Sequence, residues 1–448
     1  SRGGLAVTYE SAGRLDEAGG LLERTLAEAL RVLGPDHPDT LTFRNNLAHV
    51  YRSAGRLDQA IDLHKKNLAD SERVLGPDHP HVLALRNNLA DAYQSAGKLG
   101  EATCLYEQTL TDRLRVLGDD HPDTLASRGN LAVAYQSAGR LEQAVPLLEQ
   151  TLVDCLRVLG SDHPYTLVFR NSLANTYRFA GRLDEAIDLH KKNLADRLRV
   201  LGADHADTLS SRNNLALAYQ SAGRLEQAIP LYEQNLADRE RILDPNHPDI
   251  LTSRSNLAGA YKSAGRLDEA IDLFERTLAD RLRVLSPDHA DTLSSRNNLA
   301  LAYQSAGRLD EAIGLFERTL ADRLRVLSPD HADTLSSRNN LASAYKSAGR
   351  PEQAIGLHKK NLADRKRVLG ADHPDTLTSR NNLASAYRSA GRPEQAIGLH
   401  KKNLVDRERV LGPDHPHTLS SRNNLASAYR SAGRLDEAID LFERTLAD

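Results

Sequence analysis

The sequence has no methionine, no tryptophan and only two cysteines, and aromatic residues fill just 4% of its 448 positions. With so few aromatics, the apolar 40% falls mostly to Leu and Ala, which favours helix and disfavours sheet. The cysteines, Cys104 and Cys155, fall at different heights of different helices in the repeat described below, so no disulfide is expected and a reduced, cytoplasmic protein is. No apolar run approaches the roughly 20 residues of a membrane span, and no charged-then-apolar signal segment opens the chain, so no membrane partner is expected. Charge of one sign is missing too: 58 basic against 61 acidic residues give a net charge of −3, which argues against nucleic acid. The lack of a Met at position 1, with Ser1 and Asp448 both falling inside helices, predicts a piece of a longer protein. There is also no glycine-rich phosphate loop, no Gly-x-Ser-x-Gly elbow and no zinc-protease motif, so neither catalysis nor a cofactor is expected.

What the sequence has is a repeat. A histidine recurs at His37, His79, His121, His163, His205, His247, His289, His331, His373 and His415, a strict period of 42. Tyr51 to Tyr429 and Gly13 to Gly433 keep the same spacing. No insertion breaks the register, so residues 1–448 are predicted to form a single array of about 10.7 units, truncated at both ends and without a second domain. The recurring histidines lie a whole repeat apart with no cysteine beside them, which argues against a metal site.

Within one unit, Leu41, Leu47, Ala48 and Tyr51 are spaced by three and four, predicting an amphipathic helix A over Thr40 to Ser53. Gly55 suits the left-handed position that ends it. A longer helix B is predicted from about Leu57, with Ala60, Ile61, Leu68, Val74 and Leu75 inward. In two units Pro351 and Pro393 replace the first Leu, which fits a first turn. Pro146 and Pro230 lie deeper in helix B and are expected to distort it without breaking it. Gly76 to Pro80 then turns the chain, with Asp78 predicted as N-cap and the histidine as structural. Arg44 and Asp70 recur in every full unit and are expected to pair between helices.

Leu47-Ala48-x-x-Tyr51, with Ala60 twelve residues beyond Ala48, resembles the tetratricopeptide pattern, although Arg44 stands where that family usually has Trp. Helix B is about two turns longer than in the ordinary repeat. That length, Leu-Gly-Pro-Asp-His-Pro before helix A and Asn-Asn-Leu-Ala within it resemble the tetratricopeptide domain of kinesin light chains and related bacterial arrays. The resemblance implies an all-α, right-handed superhelical solenoid of antiparallel helix pairs. It also implies a protein- or peptide-binding scaffold, the alternative being the sensor arm of a signalling ATPase whose partner is another domain of its own chain.

In that family helix A lines a concave groove, which maps onto Thr42, Asn45, Asn46, His49, Arg52, Ser53 and their equivalents. The expected peptide-binding residues include the amides Asn45, Asn46, Asn87, Asn88, Asn171, Asn213, Asn214, Asn297, Asn298, Asn339, Asn340, Asn381, Asn382, Asn423 and Asn424. An Asn amide offers both a donor and an acceptor to a peptide bond, while the second Asn of each pair could equally brace neighbouring helices. The position of Arg52 is always cationic or amide; its cations, Arg52, Arg178, Lys262, Lys346, Arg388 and Arg430, point to acidic peptides, or else to a basic helix C-terminus favoured by the macrodipole. The position of His49 varies freely, which suggests side-chain selection. Nothing in the sequence fixes the oligomeric state.

Overall fold

The computed structural model describes residues 2–11 and 14–447, so Ser1, Gly13 and Asp448 lie outside the described residues. Among the described residues there are 22 helices and no strands. They alternate between an A helix of 16 residues, such as Pro38–Ser53, and a B helix of 18 or 19, such as Leu57–Leu75. Only the terminal helices, Arg2–Ser11 and Leu435–Ala447, are shorter. No described helix is long and apolar enough to cross a membrane.

The punctuation is local chemistry. Helix A ends in a left-handed glycine, Gly55 at φ +73°, where Arg56 N–H reaches back to the Tyr51 carbonyl at 2.8 Å. Pro351 and Pro393 occupy the first position of their B helices, and the helices containing Pro146 and Pro230 run on unbroken. The N-cap of helix A differs from expectation. His79, not Asp78, caps the helix: its backbone is extended, and its Nδ1 accepts the His81 backbone N–H at 3.2 Å. All ten recurring histidines do the same, which is their structural role. Asp78, one residue too early to cap, instead pairs with Arg115 at the end of the next B helix.

Leu41, Leu47, Ala48, Tyr51, Ala60 and Ile61 are buried as the spacing predicts. Val74 and Leu75 are not: they are 45% and 40% exposed, at the end of a helix B that is 19 residues long against 16 in the A helix that follows. Arg44 meets Asp70 at 2.7 Å, and the same bond recurs from Arg86, Arg128, Arg170, Arg254, Arg296, Arg338 and Arg380 to the aspartates 26 residues on. Each guanidinium is largely buried between the two helices of its unit, and the pair braces them.

Consecutive units are joined by a two-position fit. Where helix B carries Arg113, Arg197, Arg239, Arg281, Arg323 or Arg407, the guanidinium bonds a serine of the next A helix and a carbonyl at that helix's start, as Arg113 does to Ser127 at 2.8 Å and Asp123 at 2.7 Å. Where the first position is small, the second is large: Ser71 faces Leu85, Cys155 faces Phe169 and Ala29 precedes Phe43. Volume is conserved across the junction while its chemistry changes. Cys104 and Cys155 are both free thiols.

The helices group into two compact units, residues 1–231 and 232–448. Within each, successive A helices touch, as Pro38–Ser53 touches Pro80–Ser95 and Ala332–Ser347 touches Pro374–Ser389, whereas successive B helices meet marginally at most. In each unit the A helices therefore lie on the tighter side.

Candidate functional site

The exposed side of helix A is built from positions that the core does not claim. Leu47, Ala48 and Tyr51 face inward, so at 100° per residue Asn45, Asn46, His49 and Arg52 share the opposite side. The asparagines are bonded to one another across units. Asn88 Nδ2 donates to Asn45 Oδ1 at 3.1 Å, and the same bond joins Asn130 to Asn87 at 3.3 Å and Asn214 to Asn171 at 2.9 Å. In the second unit Asn340, Asn382 and Asn424 donate to Asn297, Asn339 and Asn381 at 3.0, 2.8 and 3.0 Å. The second Asn does brace neighbouring helices, and it does so through the first.

The bond uses one half of each amide. The first Asn of a pair accepts this bond through its oxygen and the second donates it, which leaves N–H donors on the first and the carbonyl oxygen on the second for a peptide group; Asn87 alone of the six turns a donor toward a carboxylate, Asp91, at 3.4 Å. Asn213 is also engaged with a partner, and the other sequence-predicted positions stand outside these six bonds. Asn46 has no asparagine before it, Asn298 faces Ser255, and Asn423 is an exposed first Asn at the last described rung. The run also breaks at Gly129 and Ser172, where Phe169 fills the space a side chain at 129 would occupy.

The cations divide by unit. Arg52 is 3.9 Å from Asp91 and 3.4 Å from His49, and Arg178 stacks at 4.4 Å on the Phe179 ring. Among the described residues Lys262, Lys346, Arg388 and Arg430 meet no carboxylate at ion-pair distance. Burial lowers the pKa of Lys262 and Lys346, and for Lys346 the nearby Arg388 adds to it. Both are ammonium groups partly removed from water without a counter-ion.

Two features beneath this face were not read from the sequence. His64, His190, His358 and His400 on helix B are buried, and desolvation pushes each down to about 4. The next-largest cause is His49 for His64, Arg178 for His190, Lys346 for His358 and Arg388 for His400. In a neighbouring unit Tyr106 takes the same position and donates its hydroxyl to Asp91. The signal was available: this inward position of helix B is His or Tyr in about half of the repeats and Leu or Phe, as at Leu148, Phe274 and Phe316, in the rest, so polar rings share a core position with apolar side chains. The Tyr51 class is tied differently. Where the preceding B helix carries Glu the phenol bonds it, as Tyr51 does Glu23 at 2.6 Å, and where it carries Lys a cation sits over the ring, as Lys65 does at 5.5 Å over Tyr93.

Stacked helix pairs whose apolar core runs from repeat to repeat, and a polar ladder along one helix face, define a helical-repeat array. Tetratricopeptide-repeat profiles match residues 1–66, 40–114, 165–241, 207–283, 249–324, 291–363, 333–404 and 391–447, and a second one matches 124–165. The chain belongs to the tetratricopeptide-repeat family, and its unit is 42 residues long. Two crystal structures of a kinesin-light-chain-like protein from Podosopora anserina, with nearly identical TPR-like repeats, are 32% identical to it. The matches cover 45% and 46% of this chain and 95% and 98% of those, each with a TM-score of 0.42. BtubC (BKLC) from P. vanneervenii is 24% identical over 51% of this chain and 92% of that one, with a TM-score of 0.44. No curated protein matches the chain.

Proposed function

We propose that this array is a scaffold that holds an extended polypeptide along its A-helix face and prefers acidic segments in residues 232–448. The observation that carries the reading is the set of cations without carboxylate partners, Lys262, Lys346, Arg388 and Arg430, beside asparagine pairs with unused donors and acceptors. Lys262 and Lys346, unpaired and partly desolvated, are costly in the free protein, and a carboxylate from a partner removes that cost. The Asn pairs are indifferent to side chains and would hold the backbone. Neighbouring A helices lie about 10 Å apart by ordinary helix packing, so a rung would meet roughly every third residue of an extended chain.

The test is fluorescence anisotropy with a labelled acidic nonapeptide, comparing the parent with Arg388→Glu/Arg430→Glu. Affinity is expected to fall about tenfold or more, as for like charges forced together at an interface. Unchanged affinity would overturn the acidic preference, and parallel circular dichroism keeps misfolding separate from lost binding.

A further inference from the structure

The first unit has a cavity on its A-helix face. Its volume is about 470 Å³, and it opens on the A-helix face between helices Pro38–Ser53, Pro80–Ser95 and Pro122–Ser137. Its lining includes Arg52, Asp91, Gln94, Tyr106, Asn130 and Val133. Asp91 is singular. The equivalent position is His49, Val133, Asn175, Leu217, Gly259, Leu301, Ser343, Ser385 or Ser427, so this is the only carboxylate at that height of the face.

The carboxylate is held in place from below. Tyr106, 1% exposed, rises from helix Leu99–Leu117 and donates its hydroxyl to Asp91 Oδ1, with Gln94 Oε1 at 3.3 Å from the same hydroxyl. Oδ2 has weaker company: Asn87 Nδ2 at 3.4 Å and Arg52 Nη1 at 3.9 Å, both beyond a good hydrogen bond. Burial raises the pKa of Asp91 despite Tyr106, Arg52 and His49, all of which act to lower it, so its charge is incompletely compensated. Arg52, pulled between His49 and Asp91, is the cation of the row least able to attract a ligand carboxylate.

Resting on the groove reading above, we propose that Asp91 receives a lysine or arginine side chain of the bound polypeptide, with Val133 against its methylene stem and the Asn130 carbonyl on the adjacent backbone. Residues 38–140 would then read a basic residue, in contrast to the acidic preference of the second unit. The ligand class of the chain becomes a segment that carries both signs.

The experiment uses the full chain and three labelled nonapeptides of Gly and Ser: one with a central Lys, one with norleucine in its place, and one with three Glu residues. The parent is expected to bind the Lys peptide about tenfold more tightly than the norleucine peptide, a charge-pair effect at a partly buried site. In Asp91→Asn that difference should vanish while the Glu peptide is unaffected; in Tyr106→Phe, which frees the carboxylate, it should shrink only in part. If no peptide binds, the groove reading itself fails. If the Glu peptide binds but Lys and norleucine are equal, or Asp91→Asn keeps the difference, the assignment to Asp91 fails alone.

Discussion

A methyl group at position 129 would lie 1.9 Å from Cε1 of Phe169, well inside the ring's van der Waals envelope. Glycine is present there because the facing unit has spent the space on an aromatic ring, and the same exchange removes the ladder: Gly129 offers no amide, and Ser172 replaces the donor that would have reached it. Gly129→Ala is expected to destabilise the chain by about 1–3 kcal/mol, the usual cost of overpacking. Phe169→Ser, which installs the residue found at Ser211 and Ser253, should relieve the clash, so the double variant should be more stable than the sum of the singles implies. Urea unfolding of the four proteins checks this; additive effects would mean that the ring moves aside freely. Position 129 is the case where a break in the repeat was plain from the sequence but its cause was not. The inverse sizes of the Cys155 and Phe169 positions, repeated at Ser71 and Leu85, were the readable clue.

At the scale of the element, the helices were legible because glycine and proline mark their ends and the spacing of Leu47, Ala48 and Tyr51 marks their face. The N-cap was not. Asp is the ordinary capping residue and His is not, so composition favours Asp78 over His79, whereas only the backbone path decides which side chain points at the first free N–H groups. Val74 and Leu75 were misplaced because periodicity says which residues share a face and not where the neighbouring helix stops. The ladder was half legible: the recurrence located the asparagines, but the choice between bracing and binding needed the 2.8 to 3.3 Å bonds between them.

Helix B holds an expected pH response of its own. His358 and His400 are buried and neutral, with pKa about 4 against 6.5 in the unfolded chain. Because the folded value is the lower one, the unfolded chain binds the extra proton between those limits. Stability is therefore complete above pH 6.5 and is lost as pH falls toward 4, by at most about 3 kcal/mol per histidine. Replacing both by Phe, the residue of Phe274 and Phe316, should flatten stability between pH 7 and 5 relative to the parent. Equal slopes in chemical denaturation would show that carboxylates elsewhere dominate the acid response.

For the molecule as a whole, no unit closes a core by itself: each hairpin leaves an apolar face that its neighbours must cover, so stability is a sum of local and nearest-neighbour terms. Tyr345 illustrates the reach of one such term. Its ring is 9% exposed, packed with Leu341, Ala344 and Ile355, and its hydroxyl bonds Glu317 of the preceding B helix. Tyr345→Ala is expected to cost about 3–5 kcal/mol locally, as for other large aromatic truncations. In a globular domain that loss would lower protection everywhere, because opening is global. Here hydrogen exchange should quicken in residues 309–369 and stay at parent rates in helices such as Pro38–Ser53, many junctions away. Faster exchange throughout residues 14–447 would mean that the array unfolds as one cooperative body, and that its junctions, the buried Arg113–Ser127 type above all, couple the repeats far more tightly than nearest-neighbour packing requires.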